Sequence, residues 1–352
     1  MNLENITYRL YTVNNLSEWL LHNERNGISN YMISRTRAWS LINNPNAQSD
    51  DVVMSVVFDG VKPIGYTAIF PEQLQKPINE NNLCYWGTTQ WIEPEYRGRG
   101  ISGNMMMAIK DSVNHNYWGL ASSISSIKLD QKQGSNVIFY PRYFFQWKIQ
   151  SKSFIAKGKE LLVRFKNKQL AKQIEKFSYT NQYIPIIDDE SYVFISEHSS
   201  NDLFLRSHET LNWILQYPFL GEIGDDMHIE EQCAFSTNVH KFKIKAVQVY
   251  VDNKLSGIYI YSIVDNTYKV LYIYYSEEMK ENVFSSVLNG ALSSNVAKFC
   301  TFNSELFNFA NSIGVKNINS KFTSEPISLT LPPNIIIDQS LSIQGGDGDM
   351  FC

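Results

Sequence analysis

Residues 91–103, WIEPEYRGRGISG, limit more than any other segment what this chain can fold into. They follow Leu-Cys-Tyr-Trp-Gly-Thr-Thr-Gln-Trp-Ile (83–92), a run rich in aromatic and β-branched residues that reads as a strand. Pro94 has no backbone donor, so the strand has to end there. Downstream, Met105, Met106, Ile109 and Val113 recur at helical spacing. Between strand and helix lies Arg97-Gly98-Arg99-Gly100-Ile101-Ser102-Gly103. Glycines allow successive backbone N–H groups to converge on one concavity without a Cβ in the way. The positive end of the following helix adds to that ring of donors. Such a junction suits a pyrophosphate, with Arg97 and Arg99 supplying charge beside it. It lacks the Gly-Lys-Ser/Thr of a P-loop.

The rest of the chain is organised around this junction twice over. A length of 352 residues corresponds to about two domains. The first half reads as a strand at 7–13, helix at 17–24 and 34–42, and strands at 52–58 and 63–70 turned by Asp59-Gly60. The glycine loop and its helix follow, then a strand at 119–125 and a helix at 135–145 that Pro141 would cap or kink. The second half repeats the order. It has strand-like runs at 246–251, 255–264 and 268–275, a helix at 278–298, a strand near 299–302, a helix at 304–312 and a strand near 317–322. These features predict an α/β chain with a mixed sheet and an internal duplication. The expected units are 1–150, a basic connector at 151–189, a second domain at 190–335 and a C-terminal tail at 336–352.

The pattern Arg97-x-x-Gly100-x-Ser102, after a strand and before a helix, resembles the acetyl-CoA loop of the GCN5-related N-acetyltransferases, the GNAT superfamily. The family pattern ends in Gly or Ala where this chain has Ser102. The resemblance covers about residues 1–150 by element order. It implies the GNAT fold, with a second, degenerate GNAT-like half in tandem, and acetyl-CoA as co-substrate. Backbone amides of Arg97, Gly98, Arg99, Gly100, Ile101, Ser102 and Gly103 would hold the pyrophosphate, and backbone near Trp91 and Ile92 would pair with the pantetheine arm. Asn136 falls where the family places an Asn at the start of a later helix. Tyr143 and Tyr140 compete for the role of acid toward the leaving thiolate. A base for the incoming ammonium would be Glu93, with Glu95 beside it, or an ordered water.

Charge separates the halves. Residues 1–150 carry a net +1, residues 151–180 a net +6 and residues 181–352 a net −11. The basic stretch reads as a solvated helical face and connector, with a polyanion patch as the second reading. Where the second half would need a phosphate loop it reads YIYYSEEMKENV (272–283), with no glycine, no arginine and three carboxylates, so it is expected not to bind coenzyme A. The six histidines show no ligand grouping and the four cysteines no Cys-x-x-Cys, so no metal is expected. The terminal GGDGDMFC lacks the ligands of a calcium loop and reads as a flexible tail. No run approaches a spanning helix and no secretory signal opens the chain, which gives a cytoplasmic protein with no membrane or nucleic-acid partner as the expectation. The function expected is an N-acetyltransferase acting on a small-molecule or peptide amine. A non-catalytic coenzyme A-binding protein and an aminoacyl-tRNA-dependent peptidoglycan-type transferase are the alternatives. Oligomeric state is not readable.

Overall fold

A computed structural model describes residues 5–26, 33–78, 81–121, 127–128, 131–132, 134–148, 154–175, 177–221, 239–318, 323–333, 335–338 and 340–348. Twelve strands form one continuous mixed sheet. The first half supplies β1 (Ile6–Thr12), α1 (Val13–Arg25), α2 (Arg35–Ile42), β2 (Val52–Asp59), β3 (Lys62–Ile78), β4 (Asn81–Ile92), α3 (Ile101–Ser112), β5 (Tyr117–Ala121) and β6 (Asn136–Gln146). Helix α4 (Phe154–Ile174) connects to the second half. There follow β7 (Thr180–Ile184), α5 (Asp189–His198), α6 (His208–Gln216), β8 (Phe242–Val251), β9 (Lys254–Val264), β10 (Thr267–Tyr275), α7 (Lys280–Ser293), β11 (Lys298–Thr301), α8 (Ser304–Ser312) and β12 (Ser324–Leu331).

The hairpins form where the turn residues allow it. Asp252 and Asn253 both take left-handed φ, 50° and 63°, which gives β8–β9 a two-residue turn whose twist matches the strands. Strand β2 (VVMSVVFD) is buried along nearly its whole length because helices cover both faces of the sheet. On one face α1, α2, α5 and α6 bury Leu16, Leu20, Leu41, Ile195 and Trp213 against Trp86, Trp118, Phe204 and Tyr272. On the other, Met105, Met106 and Ile109 of α3 cover the first half. There α7 and α8 cover the second half with Phe284, Val287 and Leu306.

The strand order, β1-β2-β3-β4-β5-β12-β6-β11-β10-β9-β8-β7, has an approximate twofold symmetry. Each half contributes five strands in matching order, and the sixth strands are exchanged: β12 pairs with β5, and β6 pairs with β11. The exchanged strands meet in antiparallel register with Pro141 opposite Pro326.

This corrects the expected helix at 135–145, which is strand β6. Val137, Ile138, Phe139, Tyr140, Tyr143, Phe144 and Phe145 are β-branched or aromatic, and they suit a pleated surface better than a helix. Pro141 is tolerated because β11 ends opposite Tyr143 and β5 ends opposite Ser328. Neither proline therefore faces a third strand that would need its missing N–H.

The terminal segment is likewise packed rather than free as far as residue 348. Gly346 donates its N–H to Leu271 O at 2.9 Å, Ser342 N–H reaches Asn201 O at 2.8 Å, and Asp347 is 2% exposed.

Candidate acyl-coenzyme A site

The sheet opens where β4 and β5 part. These strands run parallel and pair only through Tyr85–Gly87 and Tyr117–Gly119. Beyond Gly87, β4 carries one residue too many for its other neighbour: Thr67 faces Gln90 and Ala68 faces Thr88, so Thr89 is bulged, with φ 32°. Past Gly87 the residues of β4 have no registered partner on β5, so the two strands part beside the bulge. Gly87 marks the last close approach. A Cβ there would meet the Tyr117 hydroxyl at 1.9 Å, so only glycine lets that ring lie across the strand.

The predicted loop stands at the mouth of this cleft. Pro94–Tyr96 forms a single 3-10 turn, fixed from below by buried Tyr96, whose hydroxyl donates to Asp59 Oδ2 at 2.7 Å. Gly98 and Gly100 have φ of 77° and 79°, a conformation L side chains rarely adopt. Gly100 is the N-cap of α3, and no side chain caps the helix, so the first-turn donors are left for something else. A Cβ at Gly98, Gly100 or Gly103 would meet nothing within 4 Å, which makes the concavity open. Arg97 folds back so that Nε donates to Ile92 O at 2.9 Å, with its guanidinium 6.0 Å from the Trp91 ring. Arg99 lies 5.7 Å over the Tyr96 ring, and Gln90 Nε2 donates to Ser102 O at 3.3 Å. Ile101 and Met105 pack with Ile64 and Ile92, which aims the helix N-terminus at the loop. Uncapped amides, two arginines and an unobstructed cradle fit a pyrophosphate group.

Trp91, Ile92, Glu93 and residues 97–103 are thus brought together, and the remaining expected residues are not. Glu93 is engaged with Lys62, its Oε2 2.6 Å from Nζ, and Glu95 is 3.8 Å from the same ammonium. These contacts raise the Lys62 pKa, chiefly through the hydrogen bond to Glu93. Asn136 begins strand β6 instead of a helix, and its Nδ2 donates to Pro333 O at 2.8 Å. Tyr140 and Tyr143 lie on β6, three strands from β4, and an odd spacing along a strand puts them on opposite faces. Tyr143 stacks on Phe307 of α8 at 4.7 Å. Tyr140 has a buried hydroxyl without a partner, and burial, with Asp347 adding to it, raises its pKa.

Sequence reasoning missed the Thr89 bulge, since two consecutive threonines give no bulge signal. It also passed over Asn116, which ties the strands together below the cleft. Its Nδ2 donates to Leu83 O at 2.6 Å, and its Oδ1 accepts from Trp118 Nε1 at 3.0 Å. Gly87 was the available clue to Tyr117.

The second half repeats the parting of the strands, and the C-terminal segment occupies part of the gap. Strands β10 and β11 pair only through Thr267–Lys269 and Lys298–Cys300. Leu271 is bulged as Thr89 is, since Val270 faces Tyr261 and Tyr272 faces Ile260. Here the C-terminal segment fills the place beside the bulge: Gly346 N–H occupies Leu271 O, and Gln344 Oε1 accepts from Ile273 N–H at 2.9 Å. A cavity of about 430 Å³ remains, lined by Asp202, Tyr274, Glu277, Glu305 and Gln344 among others. In place of a glycine loop, the turn Glu277–Met279 leads into α7, and Lys280 binds both Glu277 and Glu305.

No family model and no curated protein matches this sequence. Solved structures do match. A GCN5-related N-acetyltransferase from Kribbella flavida aligns with a TM-score of 0.51 at 12% identity over 95% of this chain and 73% of its own. The chain has the GNAT fold. A GCN5-related N-acetyltransferase from Anabaena variabilis aligns at 0.50, with 9% identity over 92% of this chain and 72% of that one. Saccharomyces cerevisiae N-myristoyltransferase, solved with bound myristoyl-CoA, aligns at 0.53, with 9% identity over 94% of this chain and 80% of its own. The internal symmetry makes this a tandem form of the GNAT fold, with the C-terminal segment in the second cleft. Among the described residues no group of His, Cys, Asp or Glu could hold a metal ion, and no helix is long and apolar enough to cross a membrane.

Proposed function

We propose that this protein is an acyl-CoA-dependent N-acyltransferase, most simply an N-acetyltransferase that moves an acetyl group from acetyl-CoA to a primary amine. One observation carries the reading: an open, uncapped glycine loop with two left-handed glycines, set at the mouth of the cleft beside the β4 bulge. The amides of residues 98–103 hold the pyrophosphate, the Arg97 amide being taken by Pro94 O at 3.2 Å, with the Arg97 and Arg99 side chains beside it. The backbone of Trp91 and Ile92 aligns the pantetheine arm, and the coenzyme supplies an activated thioester carbonyl. A backbone N–H beside Thr89 stabilises the developing oxyanion. Direct attack in a ternary complex asks mainly for alignment of two substrates. With Glu93 engaged by Lys62, an ordered water is the better candidate for taking the ammonium proton. Tyr143 and Tyr140 remain the candidates for returning a proton to the thiolate.

The acceptor is a small-molecule or peptide amine. The net charge of −11 over residues 181–352 favours a cationic one through its long-range field. The position of both tyrosines away from β4 favours, as a second reading, a coenzyme A-binding protein without transfer. Isothermal titration with acetyl-CoA, followed by a panel of amines, separates the two. The expected result is one coenzyme per chain and release of free thiol with at least one amine. Absence of coenzyme binding refutes both readings, two sites per chain refutes the filled second cleft, and binding without thiol release leaves only the second reading.

A further inference from the structure

Helix α4 has two apolar stripes, and only one of them is used. Val163, Leu170, Ala171 and Ile174 face the core beneath α7, with buried Asn167 among them. On the outer side Phe154 is 92% exposed, Leu161 67%, Phe165 60% and Leu162 54%. At about 100° per residue, Phe154, Leu161 and Phe165 fall within about 40° of one another and directly opposite the packed stripe, with Leu162 at their edge. Lys157, Arg164 and Lys168 lie on one flank of this outer stripe, within about 80° of its centre, and Lys172 lies on it at its end, while Lys159 and Lys166 lie about 120–140° away on the other side. Arg164 Nη2 donates to Asn295 Oδ1 at 3.0 Å. The acids are Glu160, about 120° from the stripe on the Arg164 side, and Glu175, just beyond the helix end.

We propose that α4 docks this protein onto the surface of an anionic lipid bilayer, lying in the plane of the interface. A solvated connector needs no row of phenylalanines and leucines facing water. Cations along one flank and at the end of an apolar stripe match a bilayer, where the apolar side chains enter the acyl region while the cations meet the phosphate plane. A second copy of the same face would bring like-charged side chains, Lys157, Lys168 and Lys172 among them, against one another. A nucleic acid would use the cations and leave Phe154, Leu161 and Phe165 with nothing to fill.

Sedimentation of the full chain with vesicles tests the proposal. The expected result is binding to phosphatidylcholine vesicles containing about 30% phosphatidylglycerol, little binding to pure phosphatidylcholine, and release as salt rises from about 50 to about 500 mM. L161E/F165E changes two exposed positions and should lower the partition coefficient by about tenfold or more, with unchanged circular dichroism and acetyl-CoA affinity. K157Q/R164Q/K168Q should weaken binding to the anionic vesicles while sparing the fold. The proposal is overturned if the wild-type chain stays in the supernatant with anionic vesicles, or if L161E/F165E binds as wild type does. It is also overturned if the wild-type chain is a dimer that this variant dissolves and that does not bind vesicles.

Discussion

Gly100→Glu is the most direct test of the candidate site, because the structure separates its two effects. A Cβ at position 100 meets nothing within 4 Å, so the substitution creates no clash. It does force an L residue to φ 79°, at a cost of about 1–2 kcal/mol. For a chain of 352 residues that corresponds to a fall in Tm of about 1–2 °C per kcal/mol, well short of unfolding. The carboxylate, however, enters the concavity where a pyrophosphate has to sit. Two unit charges about 5 Å apart repel by about 1–3 kcal/mol at effective dielectric constants between those of water and a protein surface, and a pyrophosphate carries more than one charge. Coenzyme A affinity should therefore fall about 100-fold. Gly100→Ala carries the same backbone strain without the charge, and its affinity should fall by less than about tenfold. Titration calorimetry, with melting curves of the three proteins, gives both numbers. The reasoning is refuted if Gly100→Glu binds acetyl-CoA as tightly as Gly100→Ala while circular dichroism remains native.

The tyrosines can be distinguished by pairing stability with rate. Tyr140→Phe removes a buried hydroxyl that has no partner, so it should leave the melting temperature unchanged or raise it. A drop of about 10–100-fold in kcat at Tyr140→Phe or Tyr143→Phe identifies the proton donor, and full activity in both assigns that role to water. Arg206→Met should cost about 3–5 kcal/mol near pH 8, because buried Glu72 and Asp347 both lose the guanidinium that neutralises them. In the native protein burial pushes the Glu72 carboxyl up to about 7 against the opposing pull of Arg206. Its contribution to stability is therefore full below about 4.5 and is lost as pH rises through about 7, and removing Arg206 moves that loss to higher pH. Urea melts of both proteins across that range measure it, and a flat profile for the variant contradicts the assignment. Residues 1–150 expressed alone should not give a monomeric folded domain, because β6 would lose both β11 and β12. A sharp, reversible melt of that fragment would show that the exchange is dispensable.

Local features of the fold were legible and long-range ones were not. Asp59-Gly60, Asp252-Asn253, Pro94 and the glycines of residues 98–103 act within a few residues of themselves, so the hairpins, the end of β4 and the start of α3 could be read directly. The duplication was legible because the same order of short-range signals occurs twice. Strand β6 misled because Ser135 and Asn136 look like a helix start while Pro141 speaks against an interior strand. What makes it a strand is the meeting of Pro141 with Pro326, 185 positions away and invisible to any window. The loop at residues 97–103 was legible as a strand-to-helix junction for the same local reason. Asn136, Tyr140 and Tyr143 were placed by assuming the helix, and they moved with it. The Thr89 bulge shows only in the register of β4 against β3, which residue 89 itself does not carry.

On the proposed reading, the C-terminal segment in the second cleft leaves two similar halves with one coenzyme site. Each half has a bulged fourth strand that parts from the fifth and exposes a backbone edge. In the second half that edge is met by Gln344 and Gly346, and the segment bearing them is held by Asp347 on Arg206. Arg206 also binds Glu72 on β3, so the plug in one cleft is anchored to a central strand of the other half. Opening the second cleft would mean pulling Asp347 out of a fully buried ion group and leaving Glu72 and Arg206 only half matched. A ligand competing for Leu271 O and Ile273 N–H would have to overcome that cost, and it would find carboxylates of Glu277 and Glu278 where a phosphate needs donors. In the first half Gly348 of the same segment lies against Trp86 of β4 and Leu120 of β5, and the loop offers amides, glycines and arginines. The asymmetry therefore comes from two changes acting together, the loss of the glycine loop and the gain of an anchored plug.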